Sequence, residues 1–385
     1  MRLVYYDVGL GFLADSHKIH AIDELRNEGH DVIYVNPMEI LGAEAPIERY
    51  CEILLDKVRA EHEASGVDMF FSVAWDGNIT PETVREISRM GIPTVSFSTD
   101  DLSHPFRVKK ITPSFDLCWS SVHESAGILR SYGARNLVVM PFAANPYLFK
   151  PHDAPERNAV CFIGTAYGAR AHGIASLAQA GVPIEVHGAS PMDVYGTGRT
   201  GSPFTRALTN ASEGWHRLAA SVWVPGGRKC VHAALKRTML ELVSDPPEKH
   251  PMKGTVEYLG PAGNEEMFNL LSRSAISFGS LEVASTYVLK NPLLFIRFRE
   301  FEAPMAGGVH LVNRVPELEG YFEEDKEMLF YDSTEELIDK ARFYLRPEQT
   351  ATRNAIREKA AMRARAEHTW SHRFRRLAEE LGIGF

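Results

Sequence analysis

Apolar and polar positions along the first half of the chain alternate between two rhythms, short apolar runs and longer stretches with one apolar face. Leu3 to Val8 reads as a strand, Ser16 to Glu28 as an amphipathic helix stopped by Gly29, and Asp31 to Val35 as a second strand ending at Asn36-Pro37. A helix over Pro46 to Ser65 precedes the strand Met69 to Val73. Thr80-Pro81 opens a helix to Met90, ended by Gly91, ahead of the strand Pro93 to Ser98. Asp116 to Ser120, the helix His123 to Tyr132 closed by Gly133, and Leu137 to Met140 follow. Strands separated by helices of this length make a parallel, doubly wound sheet covered on both faces.

The pattern breaks at a proline-containing connector, Pro141 to Pro155, and restarts with the strand Ala159 to Ile163. The helix Ala169 to Ala180, the strands Pro183 to His187 and Val256 to Leu259, the helix Glu265 to Arg273 and the strand Ala275 to Phe278 continue it. The strand Val309 to Val312 and the helix Thr334 to Tyr344 come later, and Arg353 to Arg375 reads as a charged helix interrupted at His368 to Arg373. Ala189 to Lys253 is irregular, with a Gly/Thr/Ser loop at Asp193 to Ser202 and a helix at His232 to Val243. No strand immediately precedes the loop's glycines and the required Gly-Lys-Ser/Thr is absent, so it reads as surface rather than phosphate cradle. The expected fold is therefore α/β, two Rossmann-like doubly wound domains facing across a cleft, with ligand at the carboxyl ends of the strands. The domains fall at 1–150 and 155–367, and the closing stretch, about 368–385, packs back on the first.

A chain of 385 residues supports two cores, and 44% hydrophobic with 24% charged residues is ordinary for a globular protein. The net charge of -8 argues against a general grip on nucleic acid or an anionic membrane. The first residues enter a strand at once, and no apolar run reaches membrane-spanning length, so a cytoplasmic protein is expected. Cys51, Cys118, Cys161 and Cys230 are widely spaced without C-x-x-C, which points to buried free thiols. His17 and His20 lack a nearby third ligand and read as solvated or capping histidines; no metal is expected.

The densest chemistry lies in Arg297-Phe298-Arg299-Glu300-Phe301-Glu302, running to Gly307-Gly308. Arginine forks bind phosphate oxygens bidentately, a carboxylate accepts from ribose hydroxyls, and glycines let a backbone approach a ligand. In isolation the same residues also read as surface ion pairs and an ordinary helix stop. Gly164-Thr165, with Arg170 at the start of the following helix, suits an anionic diphosphate. Gly9 and Gly11 follow the first strand, where glycine permits close approach to a ligand or simply a tight turn. Asp100 and Asp101, with His104 and Arg107 nearby, follow a later strand and offer a base for an acceptor hydroxyl, with helix capping by Asp101 as the plainer reading.

Arg299 to Gly307, the Glu335-Glu336-Leu337 helix with Tyr344-Leu345, and His368-Thr369-Trp370-Ser371-His372-Arg373 resemble the C-terminal domain of CgeB-like spore-maturation glycosyltransferases. Phe162-Ile163-Gly164-Thr165 with Arg170, and Thr99-Asp100-Asp101 with Phe115-Asp116, are similar to that group's first half. The resemblance implies a GT-B glycosyltransferase that needs no metal, with a nucleotide diphosphate sugar held mainly by the C-terminal domain and an unidentified acceptor by the N-terminal one. It implies that Glu302 matches the second glutamate of the paired-glutamate motif of related retaining enzymes, which binds the donor ribose. Eight positions earlier, Leu294 replaces the first glutamate, the one that meets the sugar. Arg297 and Arg299, with Arg170, Gly164 and Thr165, then take the diphosphate in place of a divalent cation. A nucleotide-sugar epimerase or hydrolase of the same fold, and a non-catalytic sugar-nucleotide binding protein, are the competing expectations.

Overall fold

A computed structural model describes residues 1–9, 12–98, 102, 104–152, 155–188, 225–243, 256–260, 262–283 and 285–385. The chain divides into two compact units, Met1–Leu148 with His368–Phe385, and Phe149–Glu367.

In the first unit the apolar runs become β1 (Arg2–Tyr6), β2 (Asp31–Val35), β3 (Met69–Ser72), β4 (Thr94–Ser98), β5 (Leu117–Ser120) and β6 (Leu137–Val139), all parallel, in the order β2-β1-β3-β4-β5-β6. The order reverses between β1 and β3, so their carboxyl ends flank the crevice where such sheets bind ligands. Between the strands run α1 (Phe12–His17), a π-turn (Lys18–Ile22), α2 (Asp23–Asn27), α3 (Pro37–Leu41), α4 (Ile47–Ser65), α5 (Pro81–Arg89) and α6 (Ala126–Ser131). The stretch expected as one regular helix, Ser16 to Glu28, is thus broken by a π-turn, in which the hydrogen-bond ladder slips by one residue. Val4, Tyr6 and Phe70 on one sheet face pack with Tyr50, Leu54 and Val58 of α4 and with Val84 and Ile87 of α5.

The second unit contains β7 (Arg157–Ile163), α7 (Ala169–Gln179), β8 (Ile184–His187), α8 (Pro225–Val243), β9 (Val256–Tyr258), α9 (Asn264–Arg273), β10 (Ser274–Phe278), α10 (Arg299–Met305), β11 (His310–Asn313), α11 (Pro316–Tyr321), β12 (Leu329–Tyr331), α12 (Thr334–Tyr344) and α13 (Thr350–Glu367). Its parallel sheet runs β12-β11-β10-β7-β8-β9 and reverses between β7 and β10. One face is apolar: Val160, Phe162, Ile184, Val186, Ile276, Phe278 and Leu311 form a core with Ile174 and Leu177 of α7 and Leu337 and Ala341 of α12. Register places Cys161, Glu185, Ser277 and His310 side by side on the other face, all buried.

The charged segment expected over Arg353 to Arg375 is two helices, because Thr369 caps a new one, α14 (Trp370–Leu381), by accepting from the His372 amide. The α14 helix belongs to the first unit. Arg373 donates to the Pro141 carbonyl at 3.0 Å, the Ser371 amide donates to Glu24 at 2.6 Å, and Phe374 packs on Phe71 with ring centroids 4.8 Å apart. Each of the buried Trp370, Phe374 and Leu377 stabilises this docking by about 1.5–3 kcal/mol. Cys51, Cys118 and Cys161 are buried free thiols and Cys230 is half-buried. Among the described residues no helix is long and apolar enough to cross a membrane.

Candidate functional site

In the second unit the site is built where the sheet order reverses. The Gly164 amide donates to the His187 carbonyl at 2.9 Å, which draws the loops after β7 and β8 together. A Cβ at Gly188, whose φ is +159°, would stand 2.0 Å from the Gly164 carbonyl oxygen, so only glycine allows this approach. The exposed Thr165 leads into α7, an eleven-residue helix whose first turn has no side-chain cap. Arg170, in that turn, lays its guanidinium over the exposed Tyr167 ring at 5.1 Å and donates to the Thr165 carbonyl at 3.4 Å.

Arg297 comes to the same place from the segment ahead of α10. Its Nη1 donates to the Ser280 carbonyl at 2.5 Å and its guanidinium lies 5.6 Å from the centre of the Phe295 ring. Burial, and then the like charge of Arg170, pull the Arg297 pKa below its ordinary value, with Glu300, Tyr167 and Glu282 acting the other way. Arg170 is held at the loop after β7 and Arg297 at the Ser280 carbonyl after β10, so two guanidinium groups from segments 127 positions apart stand at the carboxyl ends of adjacent strands. An anion there relieves their mutual repulsion.

The rest of the arginine-rich segment is arranged differently from the expectation. Arg299 and Glu302, at i, i+3 on α10, pair at 3.0 Å, and Arg299 also meets the Met267 sulfur at 3.3 Å. Arg299 thus stands at Glu302 and α9, not beside Arg297. Glu302 is buried, at 4% exposure. Glu300 is structural: one oxygen accepts from the Arg297 amide at 2.6 Å and the other lies 3.7 Å from His310. Gly307 ends α10 at φ +74°, as a helix-stop glycine does, and borders Pro151. A Cβ on Gly308 would meet the Leu271 carbonyl oxygen at 2.7 Å, so Gly308 packs closely against protein backbone.

Leu294 faces Glu282 across an isolated antiparallel bridge, which brings their side chains to one side of the hairpin. The half-buried Glu282 accepts from the Ser280 hydroxyl at 2.8 Å. It places a carboxylate beside the position where the sequence has lost one, and no local pattern announces it.

The first unit has its own cluster at the carboxyl end of β1. Asp7 is fully buried and accepts from the Gly9 amide at 2.8 Å and the Tyr34 hydroxyl at 3.2 Å. His17 Nδ1 lies 3.0 Å from Asp7 Oδ2, and the imidazole remains 24% exposed. Asn36 donates to the Gly9 carbonyl at 2.7 Å and caps α3, fixing the loop's entry. His17 is therefore not a solvated or capping residue as the sequence suggested: it is the outer member of an acid–imidazole pair, placed at the last position before the π-turn. His20 lies inside that turn and is buried. Neither is marked by sequence spacing, because Asp7 reads as a strand end and the π-turn changes the helix face.

Gly11, Asp100 and Asp101 lie outside the described residues. His104 lines a small cavity of about 40 Å³ after β3 and β4 with Phe97, Ser98, Arg107 and the half-exposed Trp75, whose ring lies 5.9 Å from the Arg107 guanidinium. Asp116, part of the same resemblance, holds the Thr94 amide at 2.9 Å and is structural.

Residues 217–379 match the profile of a family described as glycosyl transferase-like. No curated protein matches the chain by sequence. A glycosyltransferase from Rickettsia africae superposes with a TM-score of 0.58 at 10% identity over 98% of this chain and 97% of the other. Anabaena Alr3699/HepE in complex with UDP-glucose gives 0.56 at 14% identity over 99% of each chain. Sucrose-phosphate synthase from Thermosynechococcus elongatus gives 0.54 at 13% identity over 99% and 98%. These likenesses, with the two parallel six-stranded sheets, show that the chain has the GT-B fold.

Proposed function

We propose that this protein is a glycosyltransferase that uses a nucleoside diphosphate sugar as donor and needs no cofactor. The observation that carries the reading is the placement of Arg170 and Arg297 after β7 and β10, the neighbouring strands between which the second sheet reverses its order. Two guanidinium forks and an uncapped helix start offer a diphosphate charge-assisted hydrogen bonds. Glu302, oriented by Arg299, takes the ribose hydroxyls, and Glu282 supplies the carboxylate for the sugar that Leu294 cannot. The match to a glycosyl transferase-like profile and the UDP-glucose complex of one structural neighbour support this choice of donor class.

The acceptor half belongs to the first unit. The acceptor oxygen attacks the anomeric carbon, the bond from that carbon to the diphosphate oxygen breaks, and the departing diphosphate keeps the electron pair. Arg170 and Arg297 meet the charge that grows there. The acceptor proton passes to His17 Nε2, while Asp7 holds the Nδ1 proton and stabilises the imidazolium. This gives His17 the base role first expected of Asp100 or Asp101.

Thermal shifts with uridine, guanosine, thymidine and adenosine diphosphates and their sugars test the reading. Stabilisation by one nucleoside diphosphate, with release of that diphosphate only when an acceptor is present, is expected. Absence of stabilisation by all four refutes it, and rapid release without acceptor turns it into a hydrolase.

A further inference from the structure

At the amino ends of the second sheet, away from the arginine patch, lies a cavity of about 700 Å³. Its wall includes Glu156, just ahead of β7, Arg273, at the end of α9 where β10 begins, and the Arg357, Ala361, Met362 and Arg365 side of α13. That volume is in the range of about 300–1,000 Å³ typical of small-molecule sites. Ligands that react in open α/β sheets sit at the carboxyl ends, so this position suits a second ligand rather than a reactant.

The charges in the wall are unequally matched. Glu156 pairs with Arg357 at 2.6 Å and with the buried Arg353. Burial alone would raise its carboxyl, yet these arginines hold it below the ordinary value. Glu156 is thus shared by two cations, and with Glu358 it faces three arginines of the wall, Arg273, Arg357 and Arg365, so positive charge is in excess. Arg273 is half-buried, and among the described residues it has no hydrogen-bond or ion-pair partner; its Nε is shut off from water unpaired. The Arg273 guanidinium thus brings to the wall a charge that no described acid balances, and an anion in the cavity supplies that counter-charge. Arg365 adds a second cation, anchored to the Phe149 carbonyl at 2.9 Å. Ala361 and Met362, the latter 59% exposed, form an apolar floor beside these charges.

We propose that this cavity binds a small phosphorylated metabolite, with the phosphate on Arg273 and Arg365 and the carbon skeleton over Ala361 and Met362. The inference does not depend on the transferase reading. Calorimetric titration of the full chain with glucose 6-phosphate and with glycerol 3-phosphate tests it. Saturable binding of at least one of them is expected. Arg273→Ala should weaken it at least about tenfold, the loss of one charge-assisted contact, and should not disturb the fold because no group among the described residues is left unpaired. Met362→Glu, on an exposed surface, should abolish binding by placing a carboxylate over the floor. Arg297→Ala, in the donor patch, should leave it unchanged. Failure of both probes to saturate below about 10 mM, a weak-binding limit well above ordinary metabolite affinities, overturns the proposal. So does equal affinity in Arg273→Ala, or loss of binding in Arg297→Ala.

Discussion

The two units share a six-stranded parallel sheet and present opposite chemistry at its carboxyl ends. The first offers Asp7 and His17, a carboxylate and an imidazole 3.0 Å apart. The second offers Arg170 and Arg297, two guanidinium groups, the side chain that carries permanent positive charge. One scaffold thus positions two kinds of site, and the side chains after β1 and β7 decide which. Proton traffic suits a nucleophilic hydroxyl, and fixed positive charge suits a departing diphosphate.

The comparison breaks most visibly at His17. His17→Ala should lower turnover by about 10² to 10⁴-fold with donor affinity unchanged, read by steady-state kinetics and donor titration. Equal losses in turnover and donor affinity would erase the division of labour. The next effect is on stability. Burial pushes the Glu24 carboxyl up to about 7 in the folded first unit, despite hydrogen bonds from Ser371. Below the ordinary glutamate value the group is neutral in both states and its contribution is fully present. As pH rises towards 7 the unfolded chain ionises while the folded one keeps its proton, so stability falls, and above that the loss is complete. Glu24→Gln should flatten this slope and stabilise the unit by roughly 2–3 kcal/mol at pH 8, seen in urea melts followed by Trp119 and Trp370 fluorescence. The second unit behaves oppositely at Glu324, held down to about 2 by hydrogen bonds from Arg314 and Lys340, so its contribution fades only in acid. The smallest change is at the ribose. Glu302→Ala should weaken nucleoside binding by about 1–3 kcal/mol in calorimetry, and an unchanged affinity would leave Glu302 only as the partner of Arg299.

Strands such as Met69 to Phe71 and Val160 to Phe162 were legible in the sequence because parallel strands covered on both faces are continuous apolar runs. β12, with three residues, is too short to show a period, and α3 and α11 have little more than one turn each. The loop after β7 could be identified because glycines and an arginine follow a strand and open a helix. The Arg297, Arg299 and Glu302 segment misled in part: i, i+3 spacing pairs Arg299 with Glu302, while Arg297, lying before the helix starts, is free to reach Arg170's patch. Gly307 and Gly308 carry the same letters whether a ligand or a backbone approaches, and the close approach of Gly308 to the Leu271 carbonyl is visible only in the fold. Asp7 with His17, and Glu282 with Leu294, are products of a π-turn and a hairpin bridge, neither of which leaves a periodic signature.

Titration of the wild-type chain and Arg297→Ala with the nucleoside diphosphate selected by the thermal-shift panel bears most directly on the arginine patch. Arg297→Ala should lose about 2 kcal/mol, roughly thirtyfold in Kd, with the folded state retained. Equal affinity in the two proteins would contradict it.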